Sequence, residues 1–314
     1  MQATYGNRVG VVIPTRGRAR LVLRAVKSVL AQTHTDLEVI VVLDGPDDET
    51  VSTLSAIDDP RLRVEVMPQR GASAARNRGV QLANTDWVAF LDDDDLWRPG
   101  KLEMQLMLAK SSTDALPIVS CRSLNVSHQT ASPYPLRIPL PNEPVSEFLF
   151  SMRGWPPRHG GIQTPTILAP RILFKRLLFD ETLPRHEDWD WLLRAVQIPG
   201  SALLFLPEIL VEVDRFSSLQ RLSSLRDWRY SFNWIRARYD LVTKRAYSGF
   251  LLTVIPAFAA RGGAGFGEFL LLLKEAAMRG QPNLIQLTVF AIWWLLPLRL
   301  VNWTGKMLVK AKSG

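Results

Sequence analysis

Four carboxylates stand in a row at Asp92-Asp93-Asp94-Asp95, directly after the apolar run Trp87-Val88-Ala89-Phe90-Leu91. A strand interior tolerates no such run of unpaired charge, so the carboxylates belong at the strand's carboxyl end, where open α/β sheets bind ligands. Like charges packed this closely repel unless a cation offsets them. An all-oxygen donor set suits Mg2+ or Mn2+, ions that commonly join a few carboxylates to a diphosphate. The same residues also fit a solvated acidic turn ahead of a helix starting near Pro99.

A second acidic pair, Glu187-Asp188, sits in Arg185-His186-Glu187-Asp188-Trp189-Asp190. The macrodipole favours acidic residues in any first helical turn, so by itself the pair also fits an ordinary helix start. Between the two clusters, Gly71-Ala72-Ser73-Ala74-Ala75-Arg76-Asn77-Arg78 opens a helix with small residues. Free backbone N–H groups and the Arg76 guanidinium would then face an anion, while Arg78 reads as a solvated surface residue. His34, His128, His159 and His186 lie in no Cys/His cluster, so no structural zinc is expected. The single Cys121 excludes an internal disulfide and suits a reducing compartment.

The elements that must position these residues follow an alternating pattern. Residues 9–13 form an apolar strand left by the loop Pro14-Thr15-Arg16-Gly17-Arg18, and residues 19–32 form a helix with Leu21, Ala25, Val29 and Leu30 on one face. A second buried strand, residues 37–43, ends at Asp44-Gly45, and a short acidic helix at residues 49–57 leads to a third strand at residues 62–66. This is the opening of a doubly wound, mostly parallel α/β sheet whose strand ends converge on one crevice. Residues 117–121 read as a further strand, and the proline-rich stretch 132–144 as loop. Trp155, in a Gly- and Pro-rich segment, could fill the sheet edge.

Taken together these residues resemble the family 2 glycosyltransferases with the GT-A fold. The likeness runs through Val-Val-Ile-Pro-Thr at 11–15, the strand ending in Asp44, Gly-Ala-Ser-Ala-Ala-Arg-Asn at 71–77, Phe-Leu-Asp-Asp-Asp-Asp-Leu-Trp at 90–97 and Glu187-Asp188-Trp189-Asp190, roughly the first two-thirds of the chain. The resemblance implies that Pro14 and Thr15 line a nucleotide pocket and that Asp44 accepts a hydrogen bond from the base. It implies that Arg76 lies near the nucleotide, that Asp92 and Asp93 flank the ribose and metal, and that Asp94, with Asp92, ligates Mn2+ or Mg2+. Asp188 matches the family's general base, and the neighbourhood of Trp155 faces the acceptor in that family, which makes Trp155 a candidate platform for a sugar ring. Arg215 matches an arginine that contacts the diphosphate, although the histidine that follows it in the family is missing here. An inverting, nucleotide-sugar-dependent transferase is the implied activity.

Charge is distributed unevenly over the 314 residues. From Arg215 onward there are 15 Lys and Arg against 4 Asp and Glu, a balance of +11, and the remainder carries 23 against 26, a balance of −3. The expected division is therefore a catalytic domain at 1–214 and a basic helical region at 215–314. Leu222, Leu225, Trp228, Phe232, Ile235, Tyr239 and Val242 give the latter an amphipathic stripe, followed by apolar runs at 249–260 and 284–298. The second run has 15 residues where a spanning helix needs about 20, and it contains Pro297 and meets Arg299. With Trp293, Trp294, Trp303, Lys306, Lys310 and Lys312 it fits an interfacial, monotopic anchor on an anionic membrane; a helical subdomain or homo-oligomer interface is the alternative. Residues 9–13 are too short for the core of a signal peptide, so secretion is not expected. The expectation is transfer from a nucleotide diphosphate-sugar to a lipid-linked saccharide at the cytoplasmic membrane face. The competing readings are a soluble acceptor or a nucleotide-sugar binding module without catalysis. Nucleic acid is not an expected partner, because the basic residues are interleaved with apolar runs rather than with exposed stacking platforms.

Overall fold

The computed structural model describes residues 5–127, 130–215, 227–259 and 264–295. It divides into two compact units: residues 1–134 with 162–222, and residues 135–161 with 223–314.

The first unit is built on one mixed sheet. Strands β1 (Val9–Thr15), β2 (Leu37–Asp44), β3 (Leu62–Met67) and β4 (Trp87–Phe90) are parallel in the order β3-β2-β1-β4. Helices α1 (Ala19–Leu30), α2 (Asp48–Ser55) and α3 (Ala72–Leu82) connect them. The remaining strands, β5 (Leu96–Trp97), β6 (Leu116–Val126), β7 (Ala131–Tyr134), β8 (Leu168–Pro170) and β9 (Ser201–Asp214), extend the sheet beyond β4 with β8 antiparallel to it and β6 parallel to β9. The doubly wound sheet expected from the sequence is present, with a mixed second half. All seven residues of β1 are buried, which is why an unbroken apolar run rather than an alternating one encodes it.

Two local readings differ from the structure. Helix α1 buries Val22, Ala25, Val26 and Val29 while Leu21 and Leu30 are half-buried, so the core face is turned by about one residue from the expected stripe. Residues 132–134, within the stretch expected to be loop, form β7 on the edge of β6, where prolines are tolerated because an edge strand leaves N–H positions unpaired.

Gly79 permits the closest approach of α3 to the sheet. A Cβ there would sit inside the van der Waals envelope of the Val12 side chain. Helix α4 (Lys101–Ser111) is held by a polar cluster in which Gln105 Nε2 donates to the carbonyls of Val119 at 3.2 Å and Thr166 at 2.8 Å. Helices α6 (Arg171–Arg176) and α7 (Glu187–Ala195) meet in an aromatic stack, with Phe174 and Trp191 centroids 4.4 Å apart.

The second unit is helical: α5 (Val145–Phe150), α8 (Trp228–Ala237), α9 (Lys244–Gly249), a π-helical turn Phe250–Val254, α10 (Ile255–Ala259), α11 (Phe266–Arg279) and α12 (Leu284–Leu295). The predicted stripe of α8 is buried through Trp228, Phe232 and Ile235, and its arginines pair with acids of α11, Arg229 with Glu268 at 3.0 Å and Arg236 with Glu275 at 3.4 Å. Leu222, Leu225, Pro297, Arg299, Trp303, Lys306, Lys310 and Lys312 lie outside the described residues. No helix among the described residues is long and apolar enough to cross a membrane.

Candidate active site

The carboxyl ends of β1, β2 and β4 deliver the residues singled out by their chemistry. Pro14 and Thr15 are buried at the end of β1 in register with Val42 and Leu43. Thr15 Oγ1 donates to Asp93 Oδ2 at 2.8 Å. At the end of β2, the Asp44 carboxylate accepts from the backbone N–H groups of Arg70 at 2.6 Å and Gly71 at 3.0 Å. Gly71 caps α3 with φ of 100°, a left-handed conformation that favours glycine. Asp44 therefore fixes the loop that launches α3.

That launch sets Arg76, only 4% exposed, between the two acidic clusters. Its Nη2 donates to Asp92 Oδ1 at 2.8 Å and its Nη1 to Glu187 Oε1 at 3.2 Å. Burial opposes a charged guanidinium, but Asp92, Glu187 and Asp188 outweigh it and hold Arg76 protonated. The turn after β4 and the first turn of α7 are thus joined by one side chain, which reaches Glu187 across 111 residues of sequence.

The four aspartates have four different environments. Asp92 pairs with Arg76, Asp93 receives Thr15 and Arg18, Asp94 lies 3.4 Å from Arg18, and Asp95 Oδ1 accepts from the Asp214 N–H at 2.9 Å. Asp93, Asp94 and Asp95 are buried, which removes the solvated-turn alternative. Burial pushes the Asp93 carboxyl up to about 6, against the pull of Arg18 and Thr15. Among the described residues no group of three or more His, Cys, Asp or Glu side chains forms a ready-made metal cage. The donor set at Asp92 and Asp94 fits the other kind of Mg2+ or Mn2+ site, in which one or two carboxylates hold the ion and substrate phosphates complete its shell.

Asp188 is in the first turn of α7, half-buried, with Oδ1 accepting from the Trp189 N–H at 2.8 Å. Burial and then the adjacent Glu187 push its carboxyl up to about 7, opposed by the Trp189 N–H and by Arg76. A carboxyl poised there can switch between holding and releasing a proton near neutrality. Helix α7 starts at His186, whose φ of 66° is left-handed and whose ring stacks on Trp189 with centroids 5.0 Å apart. Burial, with Arg185 adding to it, lowers His186 to about 3, so it is a neutral neighbour rather than an acid.

Arg215 follows the end of β9, its N–H donating to Val126 O at 2.7 Å, while Phe216 and Ser217 lie outside the described residues. Arg78, read as a solvated residue, is half-buried and pairs with Glu65. Trp155 is 75% exposed and does not fill a sheet edge.

Three participants escaped the sequence reading. Arg18 offsets Asp93 and Asp94 from 75 and 76 residues away. Asn77 clamps the chain ahead of α7 by exchanging hydrogen bonds with the Phe179 backbone and donating to Glu181. Tyr134, on β7, has a hydroxyl raised first by burial and then by the charge of Asp188, with Arg215 opposing. Only the aromatic type of Tyr134 beside a proline-rich stretch signalled it, and that is too common to single out.

Residues 10–154 match the model of the family described as glycosyl transferase family 2. An uncharacterized glycosyltransferase of Rickettsia typhi is 29% identical over 67% of this chain and 65% of its own length. The amylovoran biosynthesis glycosyltransferase AmsB of Erwinia amylovora is 28% identical over 76% of this chain and 81% of its own. The chain spans only 30% of two other Rickettsia relatives. Among solved structures, a mannosyltransferase of Pyrobaculum calidifontis in complex with GDP-Man and Mn2+ superposes with a TM-score of 0.55 at 18% identity, covering 92% of this chain and 86% of that one, a likeness of fold.

Proposed function

The chain carries a glycosyl transferase family 2 domain on a GT-A fold, and from that premise we propose that it moves a sugar from a nucleotide diphosphate-sugar to a hydroxyl of a saccharide borne on a membrane lipid, with inversion. The observation that carries this reading is Arg76 bridging Asp92 and Glu187. It supports one crevice in which donor-binding carboxylates and a base act on the same substrate pair.

In this reading Pro14, Thr15 and Asp44 border the nucleotide, and Arg76 and Arg215 meet its phosphates. Asp92 and Asp94 would hold a divalent cation, which supplies charge neutralisation for the departing diphosphate. Asp188 takes the proton from the acceptor hydroxyl as the oxygen bonds to the anomeric carbon. The bond to the diphosphate breaks on the opposite face, and the nucleotide diphosphate leaves with that electron pair. One base facing one leaving group supports direct displacement and hence inversion. A role in polysaccharide synthesis is favoured by the amylovoran relative.

Attachment at a membrane's cytoplasmic face, peripheral or monotopic, is supported by the second unit. Among the described residues it contributes ten of the fourteen exposed large hydrophobic ones, Phe266, Met278, Leu284 and Leu295 among them.

The test is calorimetric titration of nucleoside diphosphates with and without Mn2+, followed by transfer assays on Asp188→Asn. Binding that strengthens with Mn2+, and a variant that binds donor yet turns over about two or more orders of magnitude slower, are expected. Equal affinity in chelator would remove the metal assignment, and normal turnover by the variant would remove the base.

A further inference from the structure

A cavity of about 210 Å³ lies within the second unit, lined by Arg153, Arg245 and Asn283 on its polar side and by Met152 and Ile285 on its apolar side. No carboxylate lines it. The acids stand behind the arginines: Glu143, with a side chain only 1% exposed, accepts from Arg153 Nε at 3.0 Å and from Arg137 Nη1 at 2.7 Å. Glu147 lies 3.2 Å from Arg153 and 3.9 Å from Arg245, and also accepts from Thr243 Oγ1. Three guanidinium groups against two carboxylates leave one positive charge in surplus. The arginines are therefore aimed by their buried partners, while 38% and 42% of the Arg153 and Arg245 side-chain surface remains open.

Aimed guanidinium groups in a concave, partly apolar site suit a phosphate better than a carboxylate-free wall of solvated lysines would, because the planar fork fits tetrahedral oxyanions. The apolar side says what the phosphate is attached to. Ile285 is in the first turn of α12, which buries Val289 and Phe290 together with Gln286, whose Nε2 donates to Arg245 O, but leaves Leu284 and Leu295 80% and 76% exposed. A free phosphate or a sugar phosphate would meet the polar side of the cavity but make no use of Met152, Ile285 and the exposed Leu284 beside it.

We propose that this cavity binds the phosphate of a single-chain or polyisoprenoid-type lipid, the carrier of the acceptor saccharide. The proposal rests on the reading that the acceptor is lipid-borne, and its test separates the two. Asn283 accepts from the Gln286 N–H at 2.9 Å through Oδ1, capping α12, so Asn283→Asp keeps the cap and adds a negative charge to the cavity. With the full chain, dodecyl phosphate, inorganic phosphate and dodecanol are titrated into wild type, Arg245→Gln and Asn283→Asp. Nucleoside diphosphate affinity serves as the control for an intact fold.

Dodecyl phosphate is expected to bind wild type at least about tenfold tighter than either other probe, and both variants to lose about tenfold or more. Competition by phosphatidylglycerol vesicles then distinguishes the sources: displacement only by dodecyl phosphate upholds the carrier, and equal displacement by the vesicles overturns it in favour of bilayer headgroups. Unchanged dodecyl phosphate affinity in both variants overturns the cavity assignment. If the variants lose dodecyl phosphate but wild type transfers sugar to soluble and lipid-linked acceptors at equal rates, the cavity stands and the lipid-borne acceptor falls.

Discussion

Burial and the charge of Glu187 raise the Asp188 carboxyl to about 7, so a base role makes a signed prediction. The working form is the carboxylate, hence kcat/KM should rise about tenfold per pH unit below the inflection and level off above it. Glu187→Gln removes the second-largest cause of the shift, so its inflection should move to lower pH; a profile that stays put would deny the coupling. Arg18 supports a second prediction. Its guanidinium, 2.9 Å from Asp93 and 3.4 Å from Asp94, offsets the same carboxylates that a divalent ion would meet. Arg18→Ala should therefore bind Mn2+ about threefold tighter by calorimetry, the size expected for a partly exposed ion pair, and melt lower in chelator. Weaker Mn2+ binding would mean that Arg18 helps to build the site instead. The roles proposed for Asp92 and Asp94 drew on four adjacent acids after an apolar run, and that of Asp188 on its place in Glu187-Asp188 downstream of them. Arg18 was not legible in the sequence, because its meaning lies in a contact 75 residues away, and neither was Asn77, whose clamp on Phe179 looks like any polar residue in a helix.

At the scale of elements, the approach of α3 to β1 depends on Gly79, since a Cβ there would overlap Val12. Gly79→Ala should cost about 1–3 kcal/mol, the usual penalty of overpacking, and should loosen Arg76 together with Asp92. Denaturant midpoints report the first effect and donor affinity the second; an unchanged midpoint would show that the helix shifts freely. Helix α4 carries a different strain. Lys101 is wholly buried, donates to Gln105 Oε1 at 2.7 Å and lies 3.7 Å from the Trp97 ring centroid, and burial lowers it to about 7. Between that value and the ordinary lysine range the unfolded chain holds the extra proton, so this group makes stability rise with pH across that window. Lys101→Met should remove that rise, measured as the difference between wild-type and variant melting temperatures against pH. The parallel half of the sheet was legible because β1, β2 and β4 are nearly continuous apolar runs and β3 alternates apolar with charged residues. Strands β7 and β8 were not, being short edge or antiparallel pieces whose partners alone define them.

At the scale of the whole molecule, charge and exposed apolar surface coincide in the same part of the chain. The +11 balance from Arg215 onward was plain in the sequence, whereas the side that its helices leave uncovered was not. Helix α11 buries Leu272 and Ala276 yet leaves Phe266 71%, Leu270 48% and Met278 72% exposed, so it is apolar on two faces with Lys274 between. A helix of that kind needs a second apolar environment. Basic residues near an anionic bilayer contribute about 1 kcal/mol each, a term that salt weakens. Insertion of the exposed side chains contributes about 25 cal/mol per Å² of apolar surface, a term that salt does not weaken. The two terms predict different behaviour in vesicle co-sedimentation. Wild type should pellet with phosphatidylglycerol vesicles at low salt and be only partly released at high salt. Phe266→Ser with Met278→Ser should still pellet at low salt but be released completely at high salt, because attraction remains while insertion is lost. Should wild type stay in the supernatant at low salt and run as a monodisperse oligomer without detergent, the uncovered face of α11 would be an assembly surface and the membrane would have no part in it.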